Sequence, residues 1–224
     1  QDGSQLPNNL SCLQSLFLLD EGGKADSESL IAKVISRSKH LRSLEILDLG
    51  GCTRIEELPK DIRYLISLRK LMVTTKQTHI QNLTALRELY IEECNNLVSL
   101  PQGLKFLATL ENLAIVNCEK LDLTMEELEL ERKEDGSLRK LWIGGVPKLE
   151  SLPQWILLGS TKTLQHLYIG ELENWRMSQE GMQHLTALKR LMIGGCPKLS
   201  KRCIEETGED WPKIAHVVDI IVES

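Results

Sequence analysis

Six cysteines and five histidines are the residues of this 224-residue chain best suited to metal binding or nucleophilic chemistry. A zinc site needs Cys or His pairs a few residues apart, so that one turn presents two ligands. Cys196 and Cys203, the closest cysteines, stand too far apart for that, and there is no Cys-x-x-Cys. His40, His79, His166, His184 and His216 form no His-Glu-x-x-His or His-x-x-x-His pair. No Gly-x-Ser-x-Gly elbow raises a serine nucleophile, and no Gly-x-x-x-x-Gly-Lys-Ser/Thr loop cradles a phosphate. Acidic residues abound, but none is paired in a register suited to acid–base work. No enzymatic activity, metal or cofactor is expected of this segment.

Composition narrows the partners. Hydrophobic residues make up 42% of the chain and charged residues 26%, the balance of a folded domain rather than a disordered one. A formal charge of −5 speaks against nucleic acid, whose binding relies on Lys and Arg neutralising phosphates. No apolar run approaches the roughly 20 residues of a membrane-spanning helix. Protein partners remain.

The elements that could present a protein-binding surface are legible as a repeat. The tripeptides Leu16-Phe17-Leu18, Leu47-Asp48-Leu49, Leu71-Met72-Val73, Leu89-Tyr90-Ile91, Leu113-Ala114-Ile115, Leu141-Trp142-Ile143, Leu167-Tyr168-Ile169 and Leu191-Met192-Ile193 recur along the chain. Each follows another Leu by three residues, and most steps fall in or near the ~20–29 residue period of leucine-rich repeats. Five residues after the first Leu stands Cys52, Cys94, Cys118 or Cys196, replaced in two repeats by Val146 and Leu172. That position is tucked inside the turn leaving the strand, so these thiols read as small buried hydrophobes rather than disulfide partners. Gly50-Gly51, Gly144-Gly145 and Gly194-Gly195 share the register just past the strand, where a tight exit needs φ > 0 or close backbone approach. Leu58-Pro59, Leu100-Pro101 and Leu152-Pro153 start the return on the convex side.

The expected fold is therefore an α/β repeat solenoid, a leucine-rich-repeat horseshoe with a parallel concave sheet and an irregular or helical convex side. Residues 1–200 should hold about eight repeats, with strands near 16–18, 47–49, 71–73, 89–91, 113–115, 141–143, 167–169 and 191–193. Residues 201–224 should form a C-terminal cap, the apolar run Trp211 to Val222 folding over the last repeat. Two repeats are irregular: Asp26 to Ile35 reads as a capped amphipathic helix, and the charge-rich Met125 to Asp135 as a solvated convex helix or, alternatively, an acidic docking patch. Leu10 opens a repeat with little ahead of it, so another domain or further repeats are expected before Gln1.

Side chains alternate along a strand. If the outer residues of each tripeptide enter the core, the middle ones face the concave side, and four of the chain's nine aromatics fall on those eight positions. The candidate protein-binding face is Phe17, Asp48, Met72, Glu88, Tyr90, Glu92, Lys140, Trp142, His166, Tyr168, Arg190 and Met192. Apolar anchors ringed by charge form a hot-spot layout, with Tyr90, Trp142 and Tyr168 as its anchors.

The blocks Leu89 to Pro101, Leu141 to Pro153 and Gly181 to Leu188 resemble plant intracellular immune receptors, the nucleotide-binding leucine-rich-repeat proteins, especially their coiled-coil class. The ending Glu206 to His216, Glu-Thr-Gly-Glu-Asp-Trp-Pro-Lys-Ile-Ala-His, is similar to the tail of that class and is the most specific match. The resemblance implies a cytoplasmic sensor domain in disease resistance and innate immunity. It would bind a pathogen effector or a host protein and restrain a nucleotide-binding domain upstream, whose release ends in the hypersensitive response. ADP or ATP would belong to that upstream domain. Two other settings stay open. Sequons at Asn9 and Asn82 would permit glycosylation of an extracellular repeat receptor, and a ubiquitin-ligase substrate adaptor also uses Cys at the turn.

Overall fold

In each repeat a short stretch built on two branched aliphatics two residues apart, Leu-x-Ile in five of them, forms a strand, because such a face can be buried only by stacking on its neighbours. The computed structural model describes residues 13–17, 33, 43–50, 52, 58–74, 80, 82–100, 104, 107–123, 136–177 and 181–223. Nine strands run through them: β1 (Ser15–Phe17), β2 (Ile46–Asp48), β3 (Lys70–Val73), β4 (Glu88–Glu92), β5 (Asn112–Val116), β6 (Lys140–Gly144), β7 (His166–Gly170), β8 (Arg190–Gly194) and β9 (Asp219–Val222). They form one sheet in sequence order, every neighbouring pair parallel.

The register stacks like on like. Leu16, Leu47, Leu71, Leu89, Leu113, Leu141, Leu167 and Leu191 face one another strand by strand, and Val73, Ile91, Ile115, Ile143, Ile169 and Ile193 form a second rung. From Leu47 onward both rungs are buried, joined by Leu44, Leu68, Leu86, Leu110, Leu138, Leu164 and Leu188 three residues ahead of each strand leucine. Each such side chain contributes about 1.5–3 kcal/mol through burial. The Leu-Pro steps open the convex segments as expected: Pro59 precedes a 3-10 helix, Lys60–Tyr64, and Pro153 precedes an α-helix, Gln154–Ser160. Pro101 lies outside the described residues, as does the Met125 to Asp135 stretch. Of the Asp26 to Ile35 stretch only Lys33 is described, and it is helical.

The strand exits share one backbone device. Glu93, Asn117, Gly145, Glu171 and Gly195, each four residues after the first strand Leu, all adopt φ between 51° and 62°. This left-handed conformation turns the chain off the sheet and aims each amide at the next repeat. Glu93 N–H donates to Val116 O at 2.9 Å, Asn117 to Gly144 O at 3.0 Å, Gly145 to Gly170 O at 3.2 Å and Glu171 to Gly194 O at 3.0 Å. The two routes open to the glycine pairs are divided between their members. Gly145 supplies the positive φ, while a Cβ on Gly144 would lie 2.8 Å from Gly170 O. Inside the turn, Cys94 and Cys118 donate their thiols to Glu92 O and Val116 O at 3.5 and 3.4 Å. Cys52, Cys94, Cys118, Cys196 and Cys203 are all buried, and none of them is in a disulfide.

One difference concerns the C-terminal end. Eight strands are expected from the leucine pattern, whereas the structure adds a ninth, with Ile220 opposite Leu191 and Val222 opposite Ile193. Ile214, Val217, Ile220 and Val222 repeat the spacing of Leu83, Leu86, Leu89 and Ile91. Only the residue type differs, which hides the repeat from a search for leucine. Behind this strand Asp210 is fully buried, held by Arg202 Nε at 2.9 Å and Lys213 Nζ at 2.6 Å.

Candidate protein-binding face

Because the strands share one register, their outward residues form columns running across the sheet. The middle column carries Phe17, Asp48, Met72, Tyr90, Ala114, Trp142, Tyr168 and Met192, continued by Ile221. Phe17 is 60% exposed and Trp142 54%, while Asp48, Met72, Tyr90, Tyr168 and Met192 are half-buried. Ala114 departs from the expectation that all eight are displayed. At 5% exposure it is buried, a methyl group lying between Tyr90 and Trp142 on the flanking strands.

Neighbouring columns supply the charge. Ahead of the middle column run Lys70, Glu88, Asn112, Lys140, His166 and Arg190; after it come Glu92, Val116, Gly144, Gly170 and Gly194. The structure brings the twelve candidate residues onto one face but divides them into two unlike clusters, with Phe17 alone on β1.

The first cluster spans β2 to β4. Tyr90 donates its hydroxyl to Glu88 Oε2 at 3.0 Å, and Lys70 Nζ stands 3.8 Å from the same oxygen and 4.8 Å from the Tyr90 ring centroid. Burial, then the hydrogen bond and charge of Glu88, push the Tyr90 phenol up to about 12. Burial and the charges of Glu93 and Asp48 raise the Glu92 carboxyl above its ordinary value, against Lys70. Asp48 is engaged locally: its Oδ1 accepts the Gly50 N–H at 2.9 Å, closing the turn after β2. Its type marks it as a surface charge; only the fold shows it bonded to its own backbone.

The second cluster spans β6 to β8. Trp142 and Tyr168 stack with ring centroids 5.4 Å apart and planes 27° apart, and Met192 continues the row. Offset stacking of this kind contributes about 0.5–1.5 kcal/mol beyond area burial. Arg190 is paired with Asp219 at 2.5 Å. Burial first, then the positive charges of Lys140, Arg190 and Lys189, hold His166 below its ordinary pKa, so its ring is neutral near pH 7. Its Nδ1 is shielded and has no hydrogen-bond partner among the described residues. Among those residues, too, no group of three His, Cys, Asp or Glu side chains is placed to hold a metal ion. None of the helices described is long and apolar enough to cross a membrane.

Similarity to known proteins agrees with this architecture. A family model described as a leucine-rich repeat region matches residues 1–194. A 41-residue stretch, 18% of the chain, is 44% identical to RGA4 of Solanum bulbocastanum, a protein named for disease resistance, and covers 4% of it. A longer match of 163 residues, 70% of the chain, is 28% identical to a protein of Arabidopsis thaliana also named for disease resistance and covers 9% of it. The disease resistance protein RPP8 of Arabidopsis thaliana is 29% identical over 38% of the chain, with 10% of RPP8 covered. The chain thus spans a tenth or less of the length of these curated relatives. An internalin from Listeria monocytogenes is a solved structure similar at 16% identity and a TM-score of 0.31, over 96% of this chain and 82% of its own. The chain belongs to the leucine-rich-repeat family, and its curated relatives are disease resistance proteins of plants.

Proposed function

We propose that this chain is a protein-recognition domain of plant defence that binds a pathogen effector or a host protein through the outward face of its sheet. The observation that carries the reading is the Trp142–Tyr168 stack, with Trp142 more than half exposed on a face that the core does not need. A strand position facing water is served by Thr or Lys; stacked aromatics there bring large, rigid contact area at low entropic cost. In the longer proteins that its relatives represent, the same face or its flanks would also restrain a nucleotide-binding domain upstream, the sensor and autoinhibitory roles sharing one scaffold. Nucleotide would then be held by that domain. Five buried cysteines outside any disulfide favour a reducing, cytoplasmic setting over an extracellular receptor.

The test is binding of a partner captured by the wild-type chain. Trp142→Ala and Tyr168→Ala should each weaken it by about 2 kcal/mol, with circular dichroism and melting temperature close to wild type. Unchanged affinity in both variants overturns the reading.

A further inference from the structure

We infer that the β6–β8 part of this face is built for an acidic, extended segment of the partner, one that lays an aromatic or aliphatic side chain on Trp142 and Tyr168 between flanking carboxylates. The inference rests on the protein-recognition reading and adds the chemistry of the ligand. Alongside the aromatic stack, Lys140, His166 and Arg190 occupy one column, and Arg139 and Lys189 precede the first and last of them.

Arg139, Lys140 and Lys189 are exposed and enter no ion pair among the described residues. On the side of Lys140 and Arg190 two carboxylates are committed, Asp219 to Arg190 and Glu111 to Arg87, while Glu171 and Glu223 lie on the far side of the stack, beside Gly195 and Gly194. After burial, the positive charges of Lys140, Arg190 and Lys189 all act on His166. Arg139, Lys140 and Lys189 thus stand without an ion-pair partner among the described residues, beside an Arg190 already held by Asp219, in a chain whose overall charge is −5. Across β2 to β4 the balance reverses, with Asp48, Glu88 and Glu92 against Lys70. Partner charge of the opposite sign is thus selected at one end of the sheet and repelled at the other, which sets register more than raw affinity. Beyond the stack Gly144, Gly170 and Gly194 carry no side chains of their own, which leaves room for an extended backbone beside the two rings, bounded at the β8 end by Glu223.

Titration calorimetry on the whole chain decides the matter with four probes. Three are blocked peptides of roughly nine residues, long enough to cross three strands: glutamates around a central Phe, lysines around the same Phe, and glutamates around a central Ser. The fourth is a single-stranded oligonucleotide of similar length. The Glu–Phe peptide should bind at least about tenfold more tightly than each of the others, and weaken as salt rises from roughly 50 to 200 mM. Lys140→Glu combined with Lys189→Glu should cost it at least about tenfold while leaving the melting temperature in place. Equal or tighter binding of the lysine peptide, equal binding of the oligonucleotide, no binding of any probe, or indifference to the double charge reversal overturns the inference. If the lysine peptide binds and Trp142→Ala abolishes it, the acidic ligand class falls while the recognition face stands.

Discussion

Gly145 lies directly against Asn117 of the preceding repeat, so that a Cβ added to it would meet Asn117 Oδ1 at 2.2 Å and Asn117 Cα at 3.0 Å. It also carries a φ of 59°, which side-chain-bearing residues adopt at a cost. Both penalties fall on Gly145→Ala, which should lose on the order of 2–3 kcal/mol in urea unfolding. Gly195 shares the φ but has more room, Glu171 Cγ being the nearest atom at 3.2 Å from the added Cβ, so Gly195→Ala should lose less. Equal losses would show that backbone strain alone matters.

The same register holds Glu171 at φ 51° with no glycine to relieve it. Glu171→Gly removes the left-handed penalty and adds unfolded-state freedom, for a net gain of roughly 0.5–1 kcal/mol. A loss of stability would mean that the Glu171 side chain does more than its position shows.

Asp210 closes the C-terminal end, fully buried between Arg202 and Lys213, while Lys213 also donates to Met177 O at 3.0 Å. Asp210→Ala leaves two cations facing a buried void and should cost about 3–5 kcal/mol. The loss should be local: amides of β9 exchange with solvent first, those of β4 to β6 little changed. Uniform acceleration of exchange along the whole sheet would contradict it.

The ladder of Leu and Ile is legible in the sequence because burial acts on every repeat alike, so that one spacing is written eight times. What escapes is local to single repeats or joins residues about 24 positions apart. The ninth strand keeps the spacing but trades Leu for Ile and Val. Ala114 is hidden only because Tyr90 and Trp142 are placed on either side of it by register. The left-handed turn is expected at glycines, yet Glu93, Asn117 and Glu171 adopt it too, since inter-repeat hydrogen bonds outweigh their propensity. Pairing is equally unreadable: that Tyr90 bonds Glu88, or that Asp48 closes its own turn, depends on rotamers rather than on residue type.

The thiols make a separate test of the core. Burial raises Cys203 to about 12 and Cys196 above its ordinary value, and the Cys94 thiol is raised by its hydrogen bond to Cys118 and by burial. These three should not be appreciably ionised at pH 8, and none of Cys52, Cys94, Cys118, Cys196 and Cys203 should react quickly with iodoacetamide in the folded chain. Denaturation without reductant should release all six thiols of the chain to titration. A count of four or fewer would mean that a disulfide forms.

His166 links stability to pH. Its folded pKa lies below the ordinary value of 6.5, first through burial and then through Lys140, Arg190 and Lys189. The unfolded chain therefore takes up a proton that the folded chain resists. Its contribution is absent above pH 6.5 and destabilises progressively as pH falls from there to the folded pKa, below which the penalty stays constant. In a proton NMR titration the His166 midpoint should lie below 6.5. Lys140→Ala should move it upward without restoring it, because burial is the larger cause. A midpoint unmoved by Lys140→Ala would place the cations farther from the imidazole than the register implies, and would weaken the case for one continuous basic ridge along β6 to β8.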